Sequence, residues 1–290
     1  MKNILSAKGL TDKQLEDICK LEEACGKYEP LHMKLNWDML RTRPKDCIYD
    51  FLCYEEVELV GFIGLYHIVQ QSKEIEITGM VHPAFRRKGI YTGLFKKAIE
   101  KCLEINAERI LLISEHSTVS GSEFIKSVGA RYSFSEYGMK FQQASVPFAS
   151  TYGITLKRAD PSCFYELGAL DSICFGDIIE EGADFSSDSF NSTLAAYLNG
   201  SLVGKIGLSR ENDEGYIFGF AVKPELRGKG YGREILSLAL NQFLSEQITT
   251  VFLEVAVENE RALNLYKSCG FKEDTVYDYY ELKKSGEIYG

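Results

Sequence analysis

Gly219-Phe220-Ala221-Val222-Lys223-Pro224-Glu225-Leu226-Arg227-Gly228-Lys229-Gly230-Tyr231-Gly232 sets three glycines at alternate positions between an apolar run and an amphipathic one. The run before it, 216–222, is rich in aromatic and β-branched residues and is predicted as a strand. After it, Ile235, Leu236, Ala239, Leu240, Phe243 and Leu244 recur with helical spacing. Small residues at a strand-to-helix junction let successive backbone N–H groups turn inward, where the orphan donors and positive end of the helix favour a phosphate. Arg227 and Lys229 add charge beside that nest, so the loop reads as a pyrophosphate cradle; a turn without ligand is the alternative. A Walker loop needs Gly-Lys-Ser/Thr, which is absent, and a dinucleotide fingerprint needs a glycine where Arg233 stands.

The same stretch occurs earlier in the chain. Val81-His82-Pro83-Ala84-Phe85-Arg86-Arg87-Lys88-Gly89 falls on the segment from Val222 to Gly230 and keeps its register through the next helix. There Leu94, Phe95, Ala98, Ile99, Cys102 and Leu103 stand for Ile235, Leu236, Ala239, Leu240, Phe243 and Leu244. Upstream, Leu59-Val60-Gly61-Phe62-Ile63-Gly64-Leu65 recurs as Leu202-Val203-Gly204-Lys205-Ile206-Gly207-Leu208, differing only at Phe62/Lys205. Downstream, Lys126-Ser127-Val128-Gly129 falls on Lys267-Ser268-Cys269-Gly270. One folding unit of about 140 residues is therefore written twice, a size in the usual domain range.

Each copy predicts a helix, a hairpin, a strand, the glycine loop, a long helix, a strand, a short helix and a tyrosine-rich last strand. Thr11 with Gln14 forms a capping box for the first helix, with a stop near Gly26; Asp160-Pro161 and Gly176 bracket its counterpart. Asn199-Gly200 is a strong hairpin turn, and Glu55-Glu56 is its weaker equivalent. The polar stretch 142–151 reads as a linker, dividing the chain into domains 1–143 and 152–290.

With 290 residues, 45% hydrophobic and 26% charged, there is apolar material for two cores. The net charge of −9 argues against nucleic acid as a partner, since phosphate-backbone affinity rests on clustered Lys and Arg. No apolar run nears the ~18 residues of a membrane span, and Met1 to Lys8 lacks a leader-like apolar core, so the expected location is cytoplasmic with no membrane partner. Eight cysteines without C-x-x-C, and four histidines without ligand spacing, predict reduced thiols and no metal.

Arg227-x-x-Gly230-x-Gly232, after a strand ending in Ala221-Val222, resembles the coenzyme A signature of the GNAT superfamily of acetyl-CoA-dependent N-acetyltransferases. Asn259-Glu260-Arg261-Ala262-Leu263-Asn264-Leu265-Tyr266-Lys267-Ser268-Cys269-Gly270-Phe271 resembles that family's second segment. The resemblance implies an α/β fold with a mixed sheet, here two tandem GNAT-like acyltransferase folds, in which the strands ending at Val222 and Val257 splay apart. It implies acetyl-CoA as cosubstrate and a primary amine of a small molecule or peptide as acceptor, attacking the thioester directly. Pantetheine would pair with Phe220, Ala221 and Val222, the loop Arg227, Gly228, Lys229, Gly230, Tyr231 and Gly232 would hold the pyrophosphate, and Asn259 would contact the pantetheine arm. A backbone N–H near Val222 would polarise the thioester carbonyl, and Tyr266 would be the general acid for the leaving thiolate. Asp213 and Glu214 offer carboxylates at the start of the preceding strand, with a solvated turn as their plainer role.

The first copy keeps Val81, Arg86, Arg87, Lys88 and Gly89 as a weaker second site, but Tyr91 stands where the family has Gly or Ala. Ile125 replaces Tyr266, and Thr118 replaces Asn259. The first copy is therefore expected to be catalytically silent. A non-catalytic acyl-CoA-binding or sensing protein is the alternative for the whole chain. The segments 28–45 and the acidic 177–191 are expected to select the acceptor, and a monomer or homodimer is expected.

Overall fold

The computed structural model describes residues 3–29, 32–67, 73–143, 151–176, 192–211 and 213–282. The acidic segment 177–191 and most of the expected linker lie outside them. The chain divides into two compact units, one made of Met1–Ser135 with Val276–Gly290, the other of Glu136–Thr275.

In the first unit, β1 (Ile4–Lys8), β2 (Ile48–Glu55), β3 (Glu58–Tyr66) and β4 (Glu74–Val81) form an antiparallel meander, and β5 (Arg109–Glu115) joins β4 in parallel. Helices α1 (Asp12–Tyr28) and α2 (Trp37–Arg41) bury Ile18, Leu21 and Leu40 with Phe62 and Leu52 of the sheet, while α3 (Ile90–Glu104) and α4 (Val119–Ser127) bury Leu94, Phe95, Ala98 and Ile125 in a separate cluster. The two clusters follow from the period of two in β3, where Phe62 and Ile63 pack into different ones.

The second unit repeats the pattern. Strands β7 (Thr155–Arg158), β8 (Thr193–Leu198), β9 (Ser201–Glu211) and β10 (Glu214–Val222) are antiparallel, and β11 (Thr250–Ala256) is parallel to β10. Helix α5 (Phe164–Phe175) contributes Leu167 to one small cluster; α6 (Tyr231–Ser245) and α7 (Glu260–Ser268) supply Ile235, Leu236, Ala239, Leu240, Phe243 and Leu263 to the large one.

The last strand of each copy departs from the sequential division at 142–151. From Glu136 on, β6 (Arg131–Gln142) pairs antiparallel with β11, and from Val276 on, β12 (Lys272–Glu281) pairs with β5. The compact units thus divide inside β6 and inside β12. Sequence periodicity shows that a strand exists and which face is apolar, but does not name the edge it pairs with.

Local signals are mostly realised. Thr11 and Gln14 form the capping box, Asn199 and Gly200 take positive φ in the β8–β9 turn, and Gly176 ends α5 in the left-handed region. Helix α1 runs past Gly26 to Tyr28 because Cys25 on its last turn is buried in the core. The β2–β3 turn is Glu56-Val57 rather than Glu55-Glu56, with Glu56 at φ 53°. All eight cysteines are free thiols. Among the described residues no helix is long and apolar enough to cross a membrane, and no cluster of His, Cys, Asp and Glu has metal-ligand geometry.

Candidate active site

Strands β10 and β11 pair only from Glu214↔Thr250 to Ile217↔Leu253, although both run further. Beyond Leu253, β11 stays with β6 as far as Ala256, while β10 follows β9, so a split opens between them. Where it opens, β10 carries a bulge between Phe218 and Ala221, with Gly219 at φ 54°. A bulge frees backbone groups from the ladder and turns the following side chains to the other face. Phe220 accordingly packs with the α6 and α7 core.

Past the bulge, Lys223 donates its N–H to the Val203 carbonyl. Backbone direction alternates along a strand, so the N–H of Val222 faces away from β9, toward the split. A short turn at Pro224–Leu226 leads to Gly228 and Gly230, at φ 77° and 88°, directly before α6. Neither glycine permits a side chain without backbone strain, and a Cβ on Gly232 would meet Leu265, Val222 and Phe220 at 3.2–3.6 Å. The loop therefore presents backbone, not side chains, at the α6 N-terminus, which suits a pyrophosphate.

The cations of the loop are partly committed. The Arg227 guanidinium turns back, donating to the Val222 carbonyl at 3.0 Å and to Cys174 Sγ at 3.1 Å, and thereby ties the loop to the strand end. Lys223 pairs with Glu166 at 2.8 Å, while Lys229 is exposed. Asn259 caps α7, its Oδ1 accepting from the Ala262 N–H at 3.2 Å.

Tyr266 lies on α7, 7% exposed, with its ring 6.3 Å from Phe220 and 5.9 Å from Phe271. Burial pushes its phenol well above the usual tyrosine range, so the group is protonated at neutral pH and can only give a proton. Asp213 lies in the β9–β10 turn and Glu214 opens β10, at the opposite end of that strand from Val222, and Glu214 accepts a hydrogen bond from Tyr216. At about 3.3 Å per residue, that strand holds Glu214 roughly 25 Å from Val222.

A different carboxylate stands at the split. Val251, Leu253 and Val255 enter the core beneath α6, so the alternate residues Phe252, Glu254 and Ala256 face the other side of the sheet. Glu254 is exposed and follows the last residue paired with β10. Nothing in the local sequence distinguishes Glu254, because only the strand register makes this glutamate of β11 special. On that same side Lys205 forms a nearly buried ion pair with Asp171 of α5, its Nζ 3.7 Å from the place of a Cβ on Gly219.

The first unit repeats the geometry with other residues. β4 and β5 part after Ile77↔Leu112, Val81 accepts from Arg86 Nε at 3.2 Å, and Arg86 also pairs with Glu29. Arg87, at φ 62°, holds the left-handed position that Gly228 takes in the second unit, and Gly89, at 75°, matches Gly230. Strand β4 has no bulge against β3. Tyr91 packs edge-on against Phe124, centroids 4.5 Å apart, and Ile125 is buried in the core. The split widens into a cavity of ≈ 1050 Å³ lined by Cys25, Lys34, Arg87, Tyr91, Ser114 and Tyr277, among others.

Comparison with known proteins agrees with this geometry. The family model described as Acetyltransferase (GNAT) family matches residues 15–123 and again 159–271. The [ribosomal protein bS18]-alanine N-acetyltransferase of Haemophilus ducreyi is 37% identical over 71 residues, 24% of this chain and 49% of that protein. The spermidine N(1)-acetyltransferase of Vibrio cholerae is 40% identical over 58 residues, 20% of this chain and 34% of its own. The chain thus spans half or less of these curated relatives. A tandem GNAT protein from the clavulanic acid biosynthesis pathway superposes with a TM-score of 0.73 at 16% identity, covering 98% of this chain and 100% of that one, which shows a shared fold. Two family matches, two split sheets and two glycine loops coincide, and the chain belongs to the acetyltransferase (GNAT) family.

Proposed function

We propose that the second unit is an N-acetyltransferase site that moves an acetyl group from acetyl-CoA to the primary amine of a small molecule or peptide. The observation that carries this reading is the conjunction, at one strand split, of a backbone-lined glycine loop, a Val222 N–H facing the gap, a buried phenol and an exposed carboxylate. Acetyl-CoA supplies an activated acetyl thioester. Gly228, Gly230 and the first N–H groups of α6 bind its pyrophosphate, and Phe220 to Val222 offer strand-edge groups to its pantetheine arm.

Glu254, on one side of the sheet, accepts the proton released as the amine nitrogen bonds to the acetyl carbon. The Val222 N–H stabilises the charge that grows on the carbonyl oxygen. Tyr266, on the other side, gives its proton to the sulfur as the carbon–sulfur bond breaks. Holding both partners in one cleft supplies much of the acceleration.

Unit one is read as a site that binds acyl-CoA without turning it over, because its cavity and loop persist while Ile125 holds no proton. Calorimetric titration with acetyl-CoA, on the full chain and on Gly230→Glu, tests the assignment. Loss of one of two binding sites in the variant supports the assignment of the second unit; an unchanged number of sites refutes it, and no binding at all refutes both.

A further inference from the structure

A short segment just before β7 reaches across the start of α6. Glu234, 4% exposed on the first turn of that helix, accepts the backbone N–H groups of Thr151 at 3.1 Å, Tyr152 at 2.6 Å and Ile154 at 3.0 Å. Three amide donors on one buried carboxylate fix that backbone firmly. The Tyr152 ring is thereby set edge-on to Tyr231, centroids 5.2 Å apart, and its hydroxyl lies against Gly230, 2.7 Å from where a Cβ would stand. Tyr152 remains half-exposed at this position.

Among the described residues the first unit has no such carboxylate at the equivalent position. The position of Glu234 is Gly93 there, whose Cβ would meet Ile4 instead, and a Cβ on Gly89 would meet nothing within 4 Å. The brace is therefore not demanded by the fold, which the first unit builds without it. It brings an uncharged hydroxyl donor beside the backbone amides of a loop that also carries the exposed Lys229.

We propose that Tyr152 is a further binding residue of the second site, donating its phenolic hydrogen to a phosphate oxygen of the cosubstrate, and that Glu234 is the residue positioning it. The proposal rests on the reading of the second unit as the acetyl-CoA site. A neutral phenol at a helix N-terminus adds a donor without adding a charge, and a hydrogen bond to an ionised oxygen is stronger than one between neutral groups.

The test compares acetyl-CoA with S-acetylpantetheine, which lacks the pyrophosphate, on wild type, Tyr152→Phe and Glu234→Gln. Removing the hydroxyl is expected to raise the Kd and KM for acetyl-CoA about ten-fold, the effect of one hydrogen bond to a charged group. The KM for S-acetylpantetheine is expected to stay within about two-fold. Glu234→Gln should shift acetyl-CoA in the same direction. Equal weakening of both thioesters would show a purely structural clamp and overturn the proposal, as would unchanged acetyl-CoA affinity in Tyr152→Phe. Should wild type bind acetyl-CoA but Gly230→Glu bind it equally well, the underlying site assignment falls instead, and Tyr152 falls with it.

Discussion

Ile113 of β5 and Tyr279 of β12 stand opposite one another in an antiparallel ladder, and the Tyr279 ring stacks on Phe134, centroids 4.3 Å apart at 13°. Tyr279 is among the largest fully buried side chains of the first unit, although it is written near the end of the chain. Its hydroxyl meets the Lys34 ammonium, and neighbouring Asp278 accepts from Ser135 at 2.6 Å and contacts His116 at 2.7 Å.

A chain truncated after residue 143 therefore lacks the strand that completes its own unit. Such a fragment is expected to be unfolded or aggregated, because β5 would expose an unpaired edge. In the full chain, Tyr279→Ala should lower stability by roughly 3–5 kcal/mol, the usual cost of emptying a large buried aromatic site. Urea titration followed by circular dichroism measures both, and a fragment as stable as the full chain would contradict the pairing.

Tyr266→Phe keeps the ring among Phe220 and Phe271 and removes only the hydroxyl. Turnover is expected to fall about 10²-fold, with acetyl-CoA affinity within about two-fold of wild type. Steady-state kinetics beside calorimetry separates the two, and undiminished turnover would remove Tyr266 from the reaction.

Glu254→Gln should slow kcat/KM by about 10²-fold, the usual contribution of a positioned general base. The KM for acetyl-CoA should not follow, since the carboxylate stands on the side of the sheet away from Tyr266. A variant with undiminished kcat/KM would point to a water-mediated base elsewhere.

Gly230→Ala and Gly89→Ala place the same methyl group at equivalent left-handed positions. Each should cost roughly 1–2 kcal/mol in backbone strain. Only at Gly230 does the methyl also meet the Tyr152 hydroxyl, so the melting temperature and acetyl-CoA affinity should fall further there. Equal effects at the two glycines would show that the Tyr152 contact carries no weight.

Much of this was legible from residues alone, for local reasons. Asn199-Gly200 specifies its turn because both positions need positive φ, and Gly228-Lys229-Gly230 announces a backbone-lined loop for the same reason. Ile125 in place of Tyr266 is plain from the sequence as a side chain without a hydroxyl. Glu254 was not legible, since its position past Leu253 on the solvent side depends on where two parallel strands cease to pair. Arg227 was legible as a charge but not as a tie to the Val222 carbonyl.

Residue order alone shows that one folding unit is written twice, which side of each helix and strand is apolar, and where the backbone must turn left-handed. These are properties of neighbouring residues and of short periods. Three-dimensional packing sets the rest: β12 completes the first unit and β6 the second, Glu234 gathers three backbone amides from the segment before β7, and Glu254 stands at the split. Strand edges offer the same row of N–H and C=O groups to any partner, so the choice among partners rests on side chains far apart in the chain packing together.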